Sequence, residues 1–149
     1  MISLLVLLLY QPIETDYLRT PIYDETADAS QQISDALSVA KKENKRVLLQ
    51  FGANWCVWCH VLHHLFETNK AVHHEIQSGY IVVLIDVNND HNASTVEKYG
   101  NPTRFGLPVI VVLDSDGKQL VTQSVVGFGE NDGYNPREML AFLNKWASR

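Results

Sequence analysis

Val47–His60 reads VLLQFGANWCVWCH. Val47–Phe51 is a short, nearly continuous apolar run, which predicts a strand buried on both faces of a sheet. Gly52-Ala53-Asn54 predicts a turn, and a helix is expected from about Cys56 to Glu67. Cys56 and Cys59 therefore fall where a buried strand turns into a helix, and they are the whole cysteine inventory of the chain. Two cysteines cannot build a disulfide-rich scaffold, so their spacing needs its own explanation. A cysteine at a helix N-terminus meets unpaired backbone N–H groups and the positive end of the helix dipole. Both favour a thiolate and so lower the thiol pKa. Three positions apart, the two side chains share one face of the first turn. A bond between them can then form and break with little backbone movement.

Outward from this stretch, the pattern is regular. On the N-terminal side, Ile33, Ala36, Leu37 and Ala40 recur at helical spacing, which predicts a helix over 29–43 with Asp28 as its N-cap. On the C-terminal side, a shorter helix is expected from Asn69 to about Gln77. Tyr80–Asp86 (YIVVLID) reads as a second buried strand. A polar loop then leads to a short helix ending near Tyr99-Gly100. Pro108–Leu113 reads as a third strand, and Asp114-Ser115-Asp116-Gly117 is a hairpin signal that joins it to a strand over Lys118–Val126. Asn135, Pro136 and Glu138 are the N-cap, first residue and capping-box partner of a last helix, with Met139, Leu140, Leu143 and Trp146 as its apolar stripe. Strands alternating with helices imply parallel pairing by right-handed crossovers, and the closing hairpin adds an antiparallel edge. The expected fold class is α/β: a mixed sheet of four to five strands with helices on both faces.

The chain has 149 residues, enough for one domain with its own core. Lys plus Arg number 12 and Asp plus Glu 17, a net charge of −5, which argues against a nucleic-acid surface. No apolar run is long enough to span a bilayer. The first ten residues, MISLLVLLLY, resemble the apolar region of a secretory signal. They lack a preceding Lys or Arg and a small-x-small cleavage site, so a short anchor or a misassigned start are the alternatives. We expect residues 1–28 to be a signal-like leader and extension, with one short strand around Pro21–Asp24, and residues 29–149 to be the folded domain. Read as a signal, the leader implies a bacterial periplasm or the outside of the cell, where disulfides persist. Without it the protein would be cytoplasmic.

Over residues 30–149 the sequence resembles the thioredoxin superfamily. VLLQFGANWCVWCH looks like that family's active-site strand, turn and helix, and Leu107-Pro108 at the head of a strand looks like its cis-proline. Gly117 and Gly127 also fall where the family has glycines. The likeness is narrower to bacterial thioredoxin-like proteins whose dithiol helix is rich in histidine. It implies a thioredoxin-like fold and a protein-disulfide oxidoreductase acting through Cys56 and Cys59. Cys56 would attack a substrate disulfide and Cys59 would resolve the mixed disulfide. A cis X-Pro bond would leave the backbone at Leu107 free to pair with an incoming extended peptide. Two departures stand out. Val57-Trp58 replaces the Gly-Pro of thioredoxins proper, so their redox potential does not carry over. Gln50 replaces the family's buried acid, and an amide cannot serve as a base. Its strand should be buried, so its amide is expected to be hydrogen-bonded near Cys59.

Further candidates surround the pair. His60 lies four residues after Cys56, where an imidazolium would favour the thiolate and a neutral ring could shuttle a proton. The alternative is an inert surface histidine. His63, His64, His73 and His74 are expected at solvated or helix-end positions. Trp55 and Trp58 are either a substrate-contacting rim or ordinary covering, with Trp58 expected to be the more exposed. Gly127–Asn135 is a glycine-rich connection that could shape substrate access. The rival reading is a zinc module using Cys56, Cys59 and His60, although zinc sites usually draw ligand pairs from two segments. CVWCH also matches a c-type haem attachment string, which a sheet-rich chain does not favour. The expected partners are proteins with cysteine pairs and an unidentified redox partner that resets the dithiol. We expect a monomer with no cofactor, no metal, no nucleic acid and no transmembrane span.

Overall fold

In the computed structural model, which describes residues 15–131 and 133–148, strand β1 (Arg46–Gly52) runs through the middle of the sheet. It pairs in parallel with β2 (Tyr80–Asp86) and antiparallel with β3 (Val109–Leu113). Strand β4 (Gln119–Ser124) closes the hairpin on β3, giving the order β2-β1-β3-β4. A separate ribbon of two short strands, β5 (Gly129–Glu130) and β6 (Gly133–Tyr134), lies beyond it.

Among the described residues only the β1–β2 pair is parallel, which corrects the expectation of parallel pairing up to the final hairpin. The reason is length. The β1-to-β2 connection carries α2 (Val57–Thr68) and α3 (Lys70–Gly79), enough helix to return along the sheet. The only α-helix between β2 and β3 is α4 (Ala93–Lys98). At 1.5 Å per residue it spans about 9 Å, well short of the roughly 23 Å of a seven-residue strand. The chain therefore re-enters the sheet from the end at which it left, running the other way.

Alternation along β1 builds two cores. Val47, Leu49 and Phe51 face α1 (Ala29–Glu43) and pack with Ile33, Ala36, Ala40, Ile85 and Val111. Leu48 faces α2, α3 and α5 (Pro136–Trp146), packing with Leu62, Phe66, Ile76, Met139 and Leu143. Gln50 and Gly52 share the Leu48 side by the period-two rule of a strand. The polar end of that side is where the cysteines lie.

The helix signals are realised with small differences. Asp28 caps α1 by accepting from the Ser30 N–H, and Asn44 ends it at φ 53°. Asn135 caps α5 by accepting from the N–H groups of Arg137 and Glu138. The capping box is only half made, because the Asn135 N–H donates to the Phe128 carbonyl at 2.7 Å instead of to Glu138. Residues 21–24 form no strand: the N–H groups of Ile22 and Tyr23 donate to the Asn54 side chain at 2.9 Å. The apolar stretch at residues 1–10 lies outside the described residues. Among the described residues no helix is long and apolar enough to cross a membrane.

Candidate active site

Cys56 is the N-cap of α2 rather than its first residue. Its backbone is extended, at φ −84° and ψ 103°, so its Sγ turns back over the helix start and accepts from the Cys59 N–H at 3.2 Å. The Cys56 carbonyl also accepts from the N–H groups of Cys59 and His60. Cys56 and Cys59 are joined by a disulfide, with their Cα atoms 5.3 Å apart. Cys56 keeps 7% of its surface exposed and Cys59 none. On reduction, the Cys56 sulfur faces the open N–H groups and dipole of a twelve-residue helix, which stabilise negative charge there.

Leu107 packs against the cysteines, together with Ile22, Tyr23 and Leu84. The Leu107–Pro108 peptide bond is cis. A rim of exposed apolar side chains surrounds the disulfide: Trp55 at 67%, Val57 at 55%, Trp58 at 43% and Val126 at 73% exposure. Trp55, not Trp58, is thus the more exposed tryptophan. Its indole N–H is held by Asn88 Oδ1 at 3.0 Å, while Trp58 leans edge-on against Tyr134, ring centres 5.4 Å apart. Behind Trp58 lies an apolar cavity of about 250 Å³, lined by Trp58, Leu107, Val125, Val126, Gly129 and Tyr134. The connection after β4 therefore contributes one wall of this cavity through Gly129 and Tyr134. Burial raises the Tyr134 phenol pKa above its ordinary value, so the group stays a neutral donor, and it reaches the Trp58 carbonyl at 3.4 Å.

His60 is buried, with 2% of its surface exposed, so it is not a surface histidine. Its Nε2 lies 2.7 Å from the Asn54 carbonyl and must donate to it, which leaves Nδ1 without a hydrogen-bond partner among the described residues. Asn54 in turn holds the segment before α1: its Oδ1 accepts from Ile22 and Tyr23, and its Nδ2 donates to the Tyr23 carbonyl at 3.0 Å. Of the other histidines, His74 is exposed while His63, His64 and His73 are half-buried. His64 stacks on Tyr17 at 3.9 Å, and His73 Nδ1 lies 2.9 Å from the Phe66 carbonyl. Burial pulls the His63 pKa below its usual value, with Glu67 opposing and His60 and His64 adding to the fall.

Gln50 is fully buried. Its Nε2 donates to the Tyr23 hydroxyl at 2.8 Å and to the Cys59 carbonyl at 3.2 Å. Burial raises the Tyr23 pKa above its ordinary value, the Gln50 hydrogen bond opposes the rise, and the Asp86 charge adds to it. Tyr23, Asn54 and Asp86 are the site residues that the sequence reading missed. Tyr23 sits in a stretch without periodicity, Asn54 reads as a turn residue, and Asp86 reads as a strand end.

The zinc alternative finds no support in this geometry. The two sulfurs are bonded to each other, and the His60 Nε2 is committed to Asn54. No cluster of three His, Cys, Asp or Glu side chains suited to a metal occurs among the described residues.

A disulfide capping a helix at the end of a central strand, on a four-stranded mixed sheet with helices on both faces, defines a thioredoxin-like fold carrying a CxxC disulfide. The chain belongs to the thioredoxin-like family, whose model matches residues 28–115. It is similar to a disulphide isomerase from Xylella fastidiosa Temecula1, with 34% identity, a TM-score of 0.73, and coverage of 85% of this chain and 96% of that one. It also matches the thiol:disulfide interchange protein DsbD of Actinobacillus pleuropneumoniae serotype 5b, with 31% identity over 88 residues. That match takes in 59% of this chain but only 15% of the relative, so the chain spans a small part of these curated relatives. The C-terminal domain of Neisseria meningitidis DsbD in its oxidised form shares the fold, at 21% identity and a TM-score of 0.58, covering 83% of this chain and 97% of that one.

Proposed function

We propose that the protein exchanges disulfides with client proteins, with Cys56 as the attacking thiol and Cys59 as the resolving one. The observation that carries this is the position of Cys56 as N-cap of α2, slightly exposed, while its partner is wholly buried. A client disulfide approaches across the Trp55–Val57–Trp58 rim as an extended segment beside Leu107 and Pro108. The Cys56 thiolate attacks one client sulfur and expels the other. Cys59 then attacks Cys56, which frees the reduced client and closes the intramolecular disulfide. Run in reverse, the same steps oxidise a client.

The likeness to an isomerase and to interchange proteins supports exchange with proteins, and so does the apolar rim, which suits a polypeptide better than a small polar thiol. We place the protein in a periplasm or outside the cell on the apolar character of residues 1–10, and the DsbD relatives are compatible with that. Residues 29–149 form the body of the catalytic domain in this reading, and Ile22 and Tyr23 from the segment before it pack against the dithiol.

The test is trapping. Cys59→Ser should accumulate mixed disulfides with client proteins, because the fast escape route is gone, and Cys56→Ser should not. No reducible adduct from either variant would overturn the reading. Equilibration with glutathione then sets the direction: roughly −270 mV marks a reductase and roughly −120 mV a disulfide donor.

A further inference from the structure

Resolution requires Cys59 to lose its proton while it is buried. Gln50, directly beneath it, is an amide and cannot take that proton. One buried carboxylate lies on the same side of the sheet. Asp86 ends β2 and pairs in register with Gly52, so its side chain leaves the sheet on the face of Gly52 and Gln50. Two residues earlier on that strand, Leu84 packs against the cysteines. Asp86 is 1% exposed. Its Oδ2 accepts from His91 Nδ1 at 2.7 Å, while its Oδ1 is buried with no hydrogen-bond partner among the described residues. A β-carbon at Gly52 would collide with both the Cys59 sulfur and the Tyr23 hydroxyl, and that hydroxyl senses the Asp86 charge. Sulfur and hydroxyl therefore meet at Gly52, and the carboxylate leaves the neighbouring strand position on the same face of the sheet.

We propose that Asp86 is the proton acceptor for Cys59, doing from β2 what Gln50 cannot do from β1. This inference rests on the dithiol reading above. In the step, the Cys59 sulfur attacks the Cys56 sulfur of the mixed disulfide, and its proton passes to Asp86 Oδ1 directly or through one water. The Cys56–client S–S bond breaks, and the client sulfur leaves as a thiolate with the electron pair. The client is reduced by two electrons and the Cys56–Cys59 pair is oxidised by two. His91 holds Oδ2, which leaves Oδ1 as the free acceptor. The titratable groups that meet Asp86 are His91 from the following loop and Tyr23 from the segment before α1, with Cys59 reaching the neighbouring strand at Gly52 from α2. His91 in turn lowers the pKa values of Asp24 and Asp28, behind the hydrogen bonds that each accepts from its own turn.

The test is a stopped-flow single turnover of the reduced protein with a dithiobis-nitrobenzoate, which releases one coloured thiolate on attack by Cys56 and a second on resolution by Cys59. In Asp86→Asn the first phase should be unchanged. The second should slow about 100-fold at neutral pH, the usual scale of a lost general base. The gap should close towards about pH 10, where the thiol ionises on its own. Asp86→Glu, which keeps a carboxylate and is the fallback should the amide not fold, should recover part of the neutral-pH rate with a displaced pH midpoint. An unchanged second phase, a slowing equal at every pH, or an Asp86→Glu variant with the wild-type midpoint would overturn the proposal. A wild type without the first phase would instead overturn the dithiol reading itself.

Discussion

Tyr23 and Gly52 are fitted to each other behind the disulfide: the phenol occupies the space that a side chain at residue 52 would need. The Cys59 sulfur fills the rest of that space. A residue from the segment before α1 and a residue from the central strand thereby share one wall of the site.

Gly52→Ala should therefore be costly, although Gly52 is not one of the positive-φ glycines. The added methyl has to push aside Tyr23 or Cys59, and overpacking of this kind typically costs about 1–3 kcal/mol. Urea unfolding of the oxidised protein measures it. Wild-type stability would mean that the Tyr23 ring is not seated there in solution.

Asn54→Ala should release the segment before α1. It removes three hydrogen bonds to Ile22 and Tyr23, each worth about 1 kcal/mol net, so a loss of roughly 3 kcal/mol is expected. Limited proteolysis should then cut before Asp28 at least several times faster than in wild type, while β1 stays protected in hydrogen exchange.

In the reduced native protein, a brief and limiting iodoacetamide pulse should label Cys56 far ahead of Cys59. Cys56 is the slightly exposed cap and Cys59 is fully buried. Peptide mapping by mass spectrometry reads the ratio, and preferential labelling of Cys59 would reverse the assigned roles.

His63 gives a pH dependence whose sign follows from its burial. Its folded pKa lies below the ordinary value of 6.5, so the unfolded chain binds that proton more tightly. Both states are neutral at His63 above that value. As pH falls below it, protonation favours the unfolded chain and stability drops until the folded pKa is passed. His63→Gln should flatten the slope of unfolding free energy against pH just below 6.5. An unchanged slope would place the titration elsewhere.

Trp58→Ala should weaken client binding and spare the chemistry. The indole forms one wall of the apolar cavity beside Leu107. We expect KM for a protein disulfide to rise about tenfold, the scale of an interface tryptophan, with turnover of hydroxyethyl disulfide near wild type. Equal losses on both substrates would mean that Trp58 supports the dithiol instead.

The strands and helices were legible because their apolar period is strong: VLLQF, YIVVLID and PVIVVL are all strands within one residue of their expected ends. Cys56 and Cys59 were legible from spacing and context. Strand direction was not, since it depends on how far α4 can carry the chain and not on the composition of β3. The spacing of His60 from Cys56 was legible, but its burial and the hold of the Asn54 carbonyl on Nε2 were not, because that contact exists only once the turn after β1 has folded over it. Tyr23 carried no signal as a site residue, because residues 15–28 have no period and Ile22 and Tyr23 are placed by three hydrogen bonds with the distant Asn54.

That placement bears on any attempt to transplant this dithiol. A chain begun at Ala29 would keep the sheet, its five α-helices and both cysteines. It would lack the phenol against Gln50 and the backbone that Asn54 binds, so water would reach the Cys59 sulfur from the rear. A minimal portable unit thus starts no later than Ile22, upstream of the first regular helix.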